Sequence, residues 1–195
     1  MKVDAVLAGV GGQGLLSLAA VIGGAALERG LHLKQSEVHG MAQRGGVVSS
    51  HLRLGDRPIH SDLIPRGAAD LVLSLEPMEA LRYLSFLAPE GTVVTSTTPV
   101  RNIEPYPPLE EVLRGLSALP RALLVDAEGI AEKAGSPRSA NLVLLGAAAP
   151  FLHLSEEGLE RAIGHVFAGK GDTLVEANRS AFRLGLAEGR KAATR

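Results

Sequence analysis

The first apolar run, Val3-Asp4-Ala5-Val6-Leu7-Ala8, breaks at Gly9-Val10-Gly11-Gly12-Gln13-Gly14. That pattern predicts a buried strand entering a tight turn. Leu15 to Arg29 is rich in Leu and Ala and free of Pro, and Gly30 stands where a helix commonly ends, so a helix follows the turn. Leu31 to Val38 predicts a second strand, made more polar by Lys34, Gln35 and Ser36. His39 to Gly46 has neither a two-residue nor a 3.6-residue period and predicts a loop. Val47 to Leu54 alternates, and after Gly55-Asp56-Arg57 a further short run covers 58–61; together they predict a hairpin over 47–61.

Further along, Asp70 to Leu75 and Thr92 to Thr97 predict buried strands around a helix from Pro77 to Leu87, with Pro in its first turn. Asn102 to Pro108 carries Pro105, Pro107 and Pro108 and predicts a linker or excursion. Glu110 to Leu116 predicts a helix, Ala122 to Asp126 a strand, and Ile130 to Ala134 a short helix. The remainder is helical: Asn141 to Leu152, Glu156 to Phe167 capped by Ser155, and Thr173 to Arg190 capped by Asp172. Strands alternating with helices predict an α/β fold. The expected architecture is a three-layer α/β/α, Rossmann-like arrangement whose mainly parallel, mixed sheet has an antiparallel hairpin addition, with a helical C-terminal third. Residues 1–195 are expected to form one such unit, without internal repeats.

Composition narrows the chemistry. The chain has 195 residues, 46% of them hydrophobic and 3% aromatic, and no Cys. It therefore offers no thiolate nucleophile, disulfide, cysteine-bound zinc or cysteine-bound iron–sulfur cluster. A formal net charge of −1 gives no electrostatic case for nucleic acid or an anionic membrane as partner. No uninterrupted apolar stretch reaches the roughly 18 residues of a membrane span, and the start lacks the apolar core of a signal peptide. A cytoplasmic protein is expected.

Gly9, Gly11 and Gly14 match GxGxxG between a strand and a helix, where backbone N–H groups and the helix dipole can receive a phosphate. The acid that such sites carry about 20 residues on has one nearby candidate, Glu37. Three readings stay open at this point: a self-contained dinucleotide site, contact with a phosphate held partly by another chain, or glycines that only let the helix pack closely while Gln13 points into an interface. The next loop gathers Glu37, His39, Gly40, Gln43, Arg44 and Gly45. So many polar groups on a non-periodic, glycine-bearing segment suggest binding or catalysis, against the plainer reading of a solvated loop in which Arg44 caps a helix or pairs with Glu37. His51 and His60 do not make a metal set. There is no G-x-S-x-G elbow and no G-x-x-x-x-G-K-[ST] loop. Gly169-Lys170-Gly171-Asp172-Thr173 reads as a capped helix start.

The order of motifs is more specific than any one of them. Gly9-Val10-Gly11-Gly12-Gln13-Gly14, Glu37-Val38-His39-Gly40-Met41-Ala42-Gln43-Arg44-Gly45-Gly46, Ser50-His51-Leu52-Arg53, Ser61-Asp62-Leu63-Ile64-Pro65, Ala69-Asp70 and Leu75-Glu76-Pro77-Met78-Glu79-Ala80-Leu81-Arg82 follow one another. This series resembles the gamma domain of 2-oxoacid:ferredoxin oxidoreductases, most closely the small separate subunit of the indolepyruvate branch, over roughly residues 3–100. The resemblance implies a subunit of an enzyme that decarboxylates a 2-oxoacid oxidatively with coenzyme A, giving acyl-CoA, carbon dioxide and reduced ferredoxin. It also implies that thiamine diphosphate and the iron–sulfur clusters sit on a partner subunit, which passes electrons to ferredoxin, so that the isolated chain is inactive. Within that frame Gly11, Gly12, Gln13, Gly14, Glu37, His39, Gly40, Gln43, Arg44 and Gly45 are the expected substrate-proximal or subunit-interface residues, with no catalytic residue assigned. Arg44 would pair with a carboxylate or phosphate, oriented by Glu37 and His39. A homodimer is compatible with the small-residue helices but not required. Two other classes stay open: a stand-alone NAD(P)- or flavin-binding oxidoreductase, and a non-enzymatic interaction module.

Overall fold

A computed structural model describes residues 1–39 and 45–194. Its strands are β1 (Lys2–Val10), β2 (His32–His39), β3 (Val47–Gly55), β4 (Ala69–Ser74), β5 (Leu87–Ser96) and β6 (Ala122–Val125). The helices are α1 (Leu15–Glu28), α2 (Pro77–Arg82), α3 (Leu109–Ser117), α4 (Ala127–Lys133), α5 (Ala140–Leu152), α6 (Glu156–Phe167) and α7 (Asp172–Ala193). The strands form one sheet in the order β2-β3-β1-β4-β5-β6. β1, β4, β5 and β6 are mutually parallel, while β3 runs antiparallel to both of its neighbours, β1 and β2. β2 therefore points the same way as β1, and the ends of five strands, all but β3, share one edge of the sheet.

Alternation along the strands sorts their side chains onto two faces. Val3, Ala5 and Leu7 of β1, with Leu71 and Leu73 of β4, face a large core shared with α1, α4, α5, α6 and α7. Val6, Val72 and Val93 face a smaller core closed by Val112 and Leu116 of α3 and Ala80 of α2. The result is the expected mixed, mainly parallel three-layer arrangement. α5 is apolar on every side, with Leu142 to Ala149 buried, because it lies inside the larger layer with α7 pressed against it. That approach is close enough that a Cβ on Gly185 would stand 1.9 Å from the carbonyl oxygen of Val143, and one on Gly146 2.0 Å from that of Phe182.

Several sequence expectations change in detail. The hairpin lies over β2 and β3, joined through 40–46, and not over 47–61. Residues 58–61 form no strand; they begin a segment drawn across the sheet by Arg53, which donates to the carbonyls of Ser61 and Leu63, each at 3.1 Å. The antiparallel addition is thus the β2–β3 pair, with β3 lying between β2 and β1. The helix expected over 77–87 stops at Arg82, and 84–86 form a 3-10 turn that leads straight into β5. α7 is capped by Gly171, with Asp172 its first helical residue and no side-chain cap. α1 ends as expected: Gly30 takes φ 75°, and the N–H groups of Gly30 and Leu31 donate to the carbonyls of Leu27 and Ala26, closing the helix with a left-handed glycine.

Candidate functional site

β1 runs into the glycine turn at the shared edge. Gly9 is still within the strand, Gly11 to Gln13 make the turn, and Gly14 at φ 84° begins α1. Only a residue tolerant of the left-handed region fits there without strain, and a side chain at Gly14 would also meet Asn141 Nδ2 at 2.6 Å. With Gly14 as cap, α1 opens with no side-chain acceptor over its first turn. Both amide atoms of Gln13 are engaged within the chain. Its Oε1 accepts from the Val10 N–H at 2.8 Å and its Nε2 donates to the Leu75 carbonyl at 2.8 Å, so it latches the end of β1 to the end of β4. Asn141, at the start of α5, donates to the Gly14 carbonyl at 3.4 Å and brings a second helix start to the same turn.

The loop that follows β2 has its returning stem beside this turn. The Gly11 N–H donates to the Gly46 carbonyl at 2.8 Å. Glu37 is exposed on β2 opposite Ser50, and Gln35 Nε2 donates to its carboxylate. His39 is the last residue of β2, opposite Val48. Gly40, Gln43 and Arg44 lie outside the described residues. The structure thus brings Gly11, Gly12, Gln13, Gly14 and Gly45 to one edge, with Glu37 and His39 at the end of β2 on that same edge. It also weakens the dinucleotide reading, because β3 separates β2 from β1. Two strand spacings, about 10 Å, stand between the end of β2 and the glycine turn that its acid would have to serve.

A third segment, 97–108, arches over the ends of β4 and β5, where only an excursion was expected. Asn102 Nδ2 donates to the Gly45 carbonyl at 2.8 Å, and the Tyr106 hydroxyl donates to Glu76 Oε1 at 2.5 Å. Glu76 is 1% exposed. Its Oε2 caps α2 by accepting from the Glu79 N–H at 2.8 Å, and its Oε1 also receives the Val100 N–H at 3.4 Å. A buried carboxylate needs such donors to stay in place. Burial and the bond to Glu76 push the Tyr106 phenol above its usual range, so it remains a donor. Burial likewise pushes the Glu79 carboxyl up, opposed by Arg82, whose Nε lies at 3.0 Å. The long-range ties among these were not visible in the sequence. Asn102, Asn141 and Tyr106 act across long sequence separations, and no local pattern marks them.

The motif residues of β3 turn out to serve the fold. Arg53 pairs with the buried Asp4 through Nε at 2.8 Å and Nη2 at 3.1 Å. His51 Nδ1 accepts from the Ile64 N–H at 3.0 Å and its ring meets Phe86 edge-on at 5.0 Å. Together they hold the 56–66 segment over the sheet. Burial, aided by the Arg53 charge and opposed by Asp62, lowers the His51 pKa, in keeping with a neutral ring that accepts a hydrogen bond.

The family model for pyruvate ferredoxin/flavodoxin oxidoreductase matches residues 4–188. The chain belongs to that family. Among curated members, it is 40% identical over 194 residues to indolepyruvate oxidoreductase subunit IorB of Methanothermobacter thermautotrophicus, covering 95% of this chain and 96% of that one. It is 32% identical over 180 residues to the pyruvate/ketoisovalerate oxidoreductases common subunit gamma of Pyrococcus abyssi, covering 89% and 92%. Among solved structures, the keto/oxoacid ferredoxin oxidoreductase gamma subunit of Geobacter sulfurreducens superposes with a TM-score of 0.70 at 26% identity, over 97% of this chain and 99% of that one. The 2-oxoglutarate:ferredoxin oxidoreductase of Magnetococcus marinus gives 0.77 at 21% identity, which shows a shared fold; this chain spans 31% of that longer one. The fold thus occurs both as a chain of this length and within a longer polypeptide.

The chain has no Cys with which to ligate an iron–sulfur cluster. Among the described residues no group of three His, Cys, Asp or Glu is arranged to hold a metal ion, such as the divalent cation through which a diphosphate is ordinarily bound. Among the same residues no helix is long and apolar enough to cross a membrane.

Proposed function

We propose that this chain is the small, cluster-free and thiamine-free subunit of a 2-oxoacid:ferredoxin oxidoreductase acting on an aryl pyruvate, with indolepyruvate as the leading substrate. The partner subunit carries thiamine diphosphate and the iron–sulfur clusters, performs the coenzyme A-dependent oxidative decarboxylation, and passes electrons to ferredoxin. The observation that carries this reading is the near full-length likeness to the IorB chains, 40% and 39% identical in two organisms, in a chain without a single Cys. The edge bearing the glycine turn is the docking face. Three exposed apolar side chains from separate segments flank it: Leu16 (46% exposed), Val38 (61%) and Ile103 (37%). Apolar groups gathered around a backbone-lined turn suit burial against another protein. There the turn, Glu37, His39, Gly40, Gln43, Arg44 and Gly45 help shape the site for the oxoacid or coenzyme A.

Co-expression with a thiamine- and cluster-bearing subunit is the test. The expected result is a stable complex that reduces ferredoxin with indolepyruvate and coenzyme A, while neither chain does so alone. A chain that stays apart from such a subunit, or a partner fully active without it, refutes the proposal. In the complex, Arg44→Ala separates roles: turnover lost with assembly intact places Arg44 at the site, and lost assembly places it in docking.

A further inference from the structure

The 97–108 segment is held in an unusual way. Within 100–106, Arg101, Ile103, Glu104 and Pro105 are exposed. Both ends of this stretch nevertheless converge on one oxygen, since the Val100 N–H and the Tyr106 hydroxyl donate to Glu76 Oε1 at 3.4 and 2.5 Å. Asn102 stands between those two anchors. Its own N–H is turned back onto the Val100 carbonyl at 2.8 Å, and its side chain reaches the Gly45 carbonyl at 2.8 Å. The next carbonyl, that of Gly46, receives the Gly11 N–H. The buried Glu76 is thereby linked, through a loop with little packing of its own, to the stem that flanks the glycine turn. Glu76 is itself fixed by capping α2, so the reference point of this relay belongs to the folded core. A phenol kept protonated by its surroundings stays a donor across the working range of pH.

We propose that Tyr106 and Asn102 are positioning residues: acting through Glu76, they set the Gly45–Gly46 stem against the glycine turn and so hold the docking edge in its competent form. The relay itself is a property of this chain alone. Its consequence for turnover rests on the docking reading above.

Two arms keep these apart. In the isolated chain, amide hydrogen exchange reads the relay directly. Tyr106→Phe, which removes only the hydroxyl, is expected to raise exchange at Val100 and Gly11 about tenfold. The Val93 and Thr97 amides, which donate to the Arg121 and Val125 carbonyls, stay as they were. Asn102→Ala is expected to open Gly11 while leaving Val100 protected, and the double variant opens Gly11 no further than the worse single one, because the two residues act in series. An unchanged Gly11 in either single variant overturns the relay. In the reconstituted complex, assayed well below the melting transition of every variant, both variants are expected to lower kcat/KM severalfold per assembled complex. Unaltered turnover despite faster Gly11 exchange overturns the positioning role. If the native chain itself forms no complex, the docking reading falls and the exchange arm still decides the relay.

Discussion

Gln13 is the sharpest place to test whether the glycine turn is a built support or merely a flexible surface. Its amide makes two hydrogen bonds to main-chain atoms, one closing the turn onto Val10 and one crossing to Leu75. The side chain is half-buried, so water replaces part of what is lost. At about 0.5–1.5 kcal/mol for each bond, Gln13→Ala is expected to cost about 2 kcal/mol. For a chain of this length that is a fall of about 4–8 °C in melting temperature, measurable by calorimetry or circular dichroism. Gln13→Glu is more telling. One carboxylate oxygen can still accept from Val10, but the other then faces the Leu75 carbonyl, acceptor against acceptor. At neutral pH this variant is expected to be at least as unstable as the Ala variant. As pH falls and the introduced carboxyl gains a proton it becomes a donor, so the deficit relative to the native chain shrinks in acid. If both variants melt with the native chain and only weaken binding to the partner subunit, Gln13 is a contact residue and the latch is wrong.

Three further outcomes are expected. Gly185→Ala sets a gain of about 1 kcal/mol in helix propensity against a Cβ 1.9 Å from the Val143 carbonyl oxygen. The backbone there cannot yield as a side chain would, so overpacking wins, with a net loss of about 2 kcal/mol in denaturant titration. Gly115→Ala on the exposed face of α3, where the nearest atom is Leu81 Cδ2 at 3.9 Å, should instead stabilise by up to about 1 kcal/mol, and equal signs at the two sites would contradict the packing account. The His51 pKa is lowered in the fold, so the unfolded chain binds the proton more readily. His51 therefore contributes stability above its unfolded value of about 6.5 that is lost as pH falls through the folded value; an imidazole titration by NMR with its midpoint above 6.5 would contradict this. Arg53→Met leaves Asp4 buried with Lys2 as its charged neighbour and frees the carbonyls of Ser61 and Leu63. A loss of about 3 kcal/mol, with faster proteolysis over 56–66, is expected; native-like resistance would show that another contact holds the segment.

What the sequence disclosed and what it hid follow from the range of the interactions. The β1–turn–α1 unit was readable because each signal is local: the apolar run, the glycines and the Leu/Ala helix ending at Gly30. The cap of α6 was equally plain, since Ser155 accepts from the Gly158 N–H only three residues away. The hairpin was misplaced because alternation in Val47 to Leu54 marks a strand but not its partner. Its true partner, β2, was itself expected as a strand over 31–38, but the local pattern of neither segment shows which strand it pairs with. Gln13 was read as pointing into an interface, and its tie to the Leu75 carbonyl was hidden because only the fold brings that carbonyl beside it.

Three of the ties that shape the candidate site share one chemical form. Gln13, Asn102 and Asn141 are amide side chains, and each donates to a main-chain carbonyl of a distant segment: Leu75, Gly45 and Gly14 respectively. Arg53 does the same to Ser61 and Leu63. A carbonyl acceptor exists whatever side chain its residue bears, so the receiving segments are held without constraint on their own exposed residues. On the docking reading proposed above, the exposed Leu16, Val38 and Ile103 are free to differ with the partner surface while the edge beneath them keeps its shape, a fixed support under a changeable face held at the level of single hydrogen bonds.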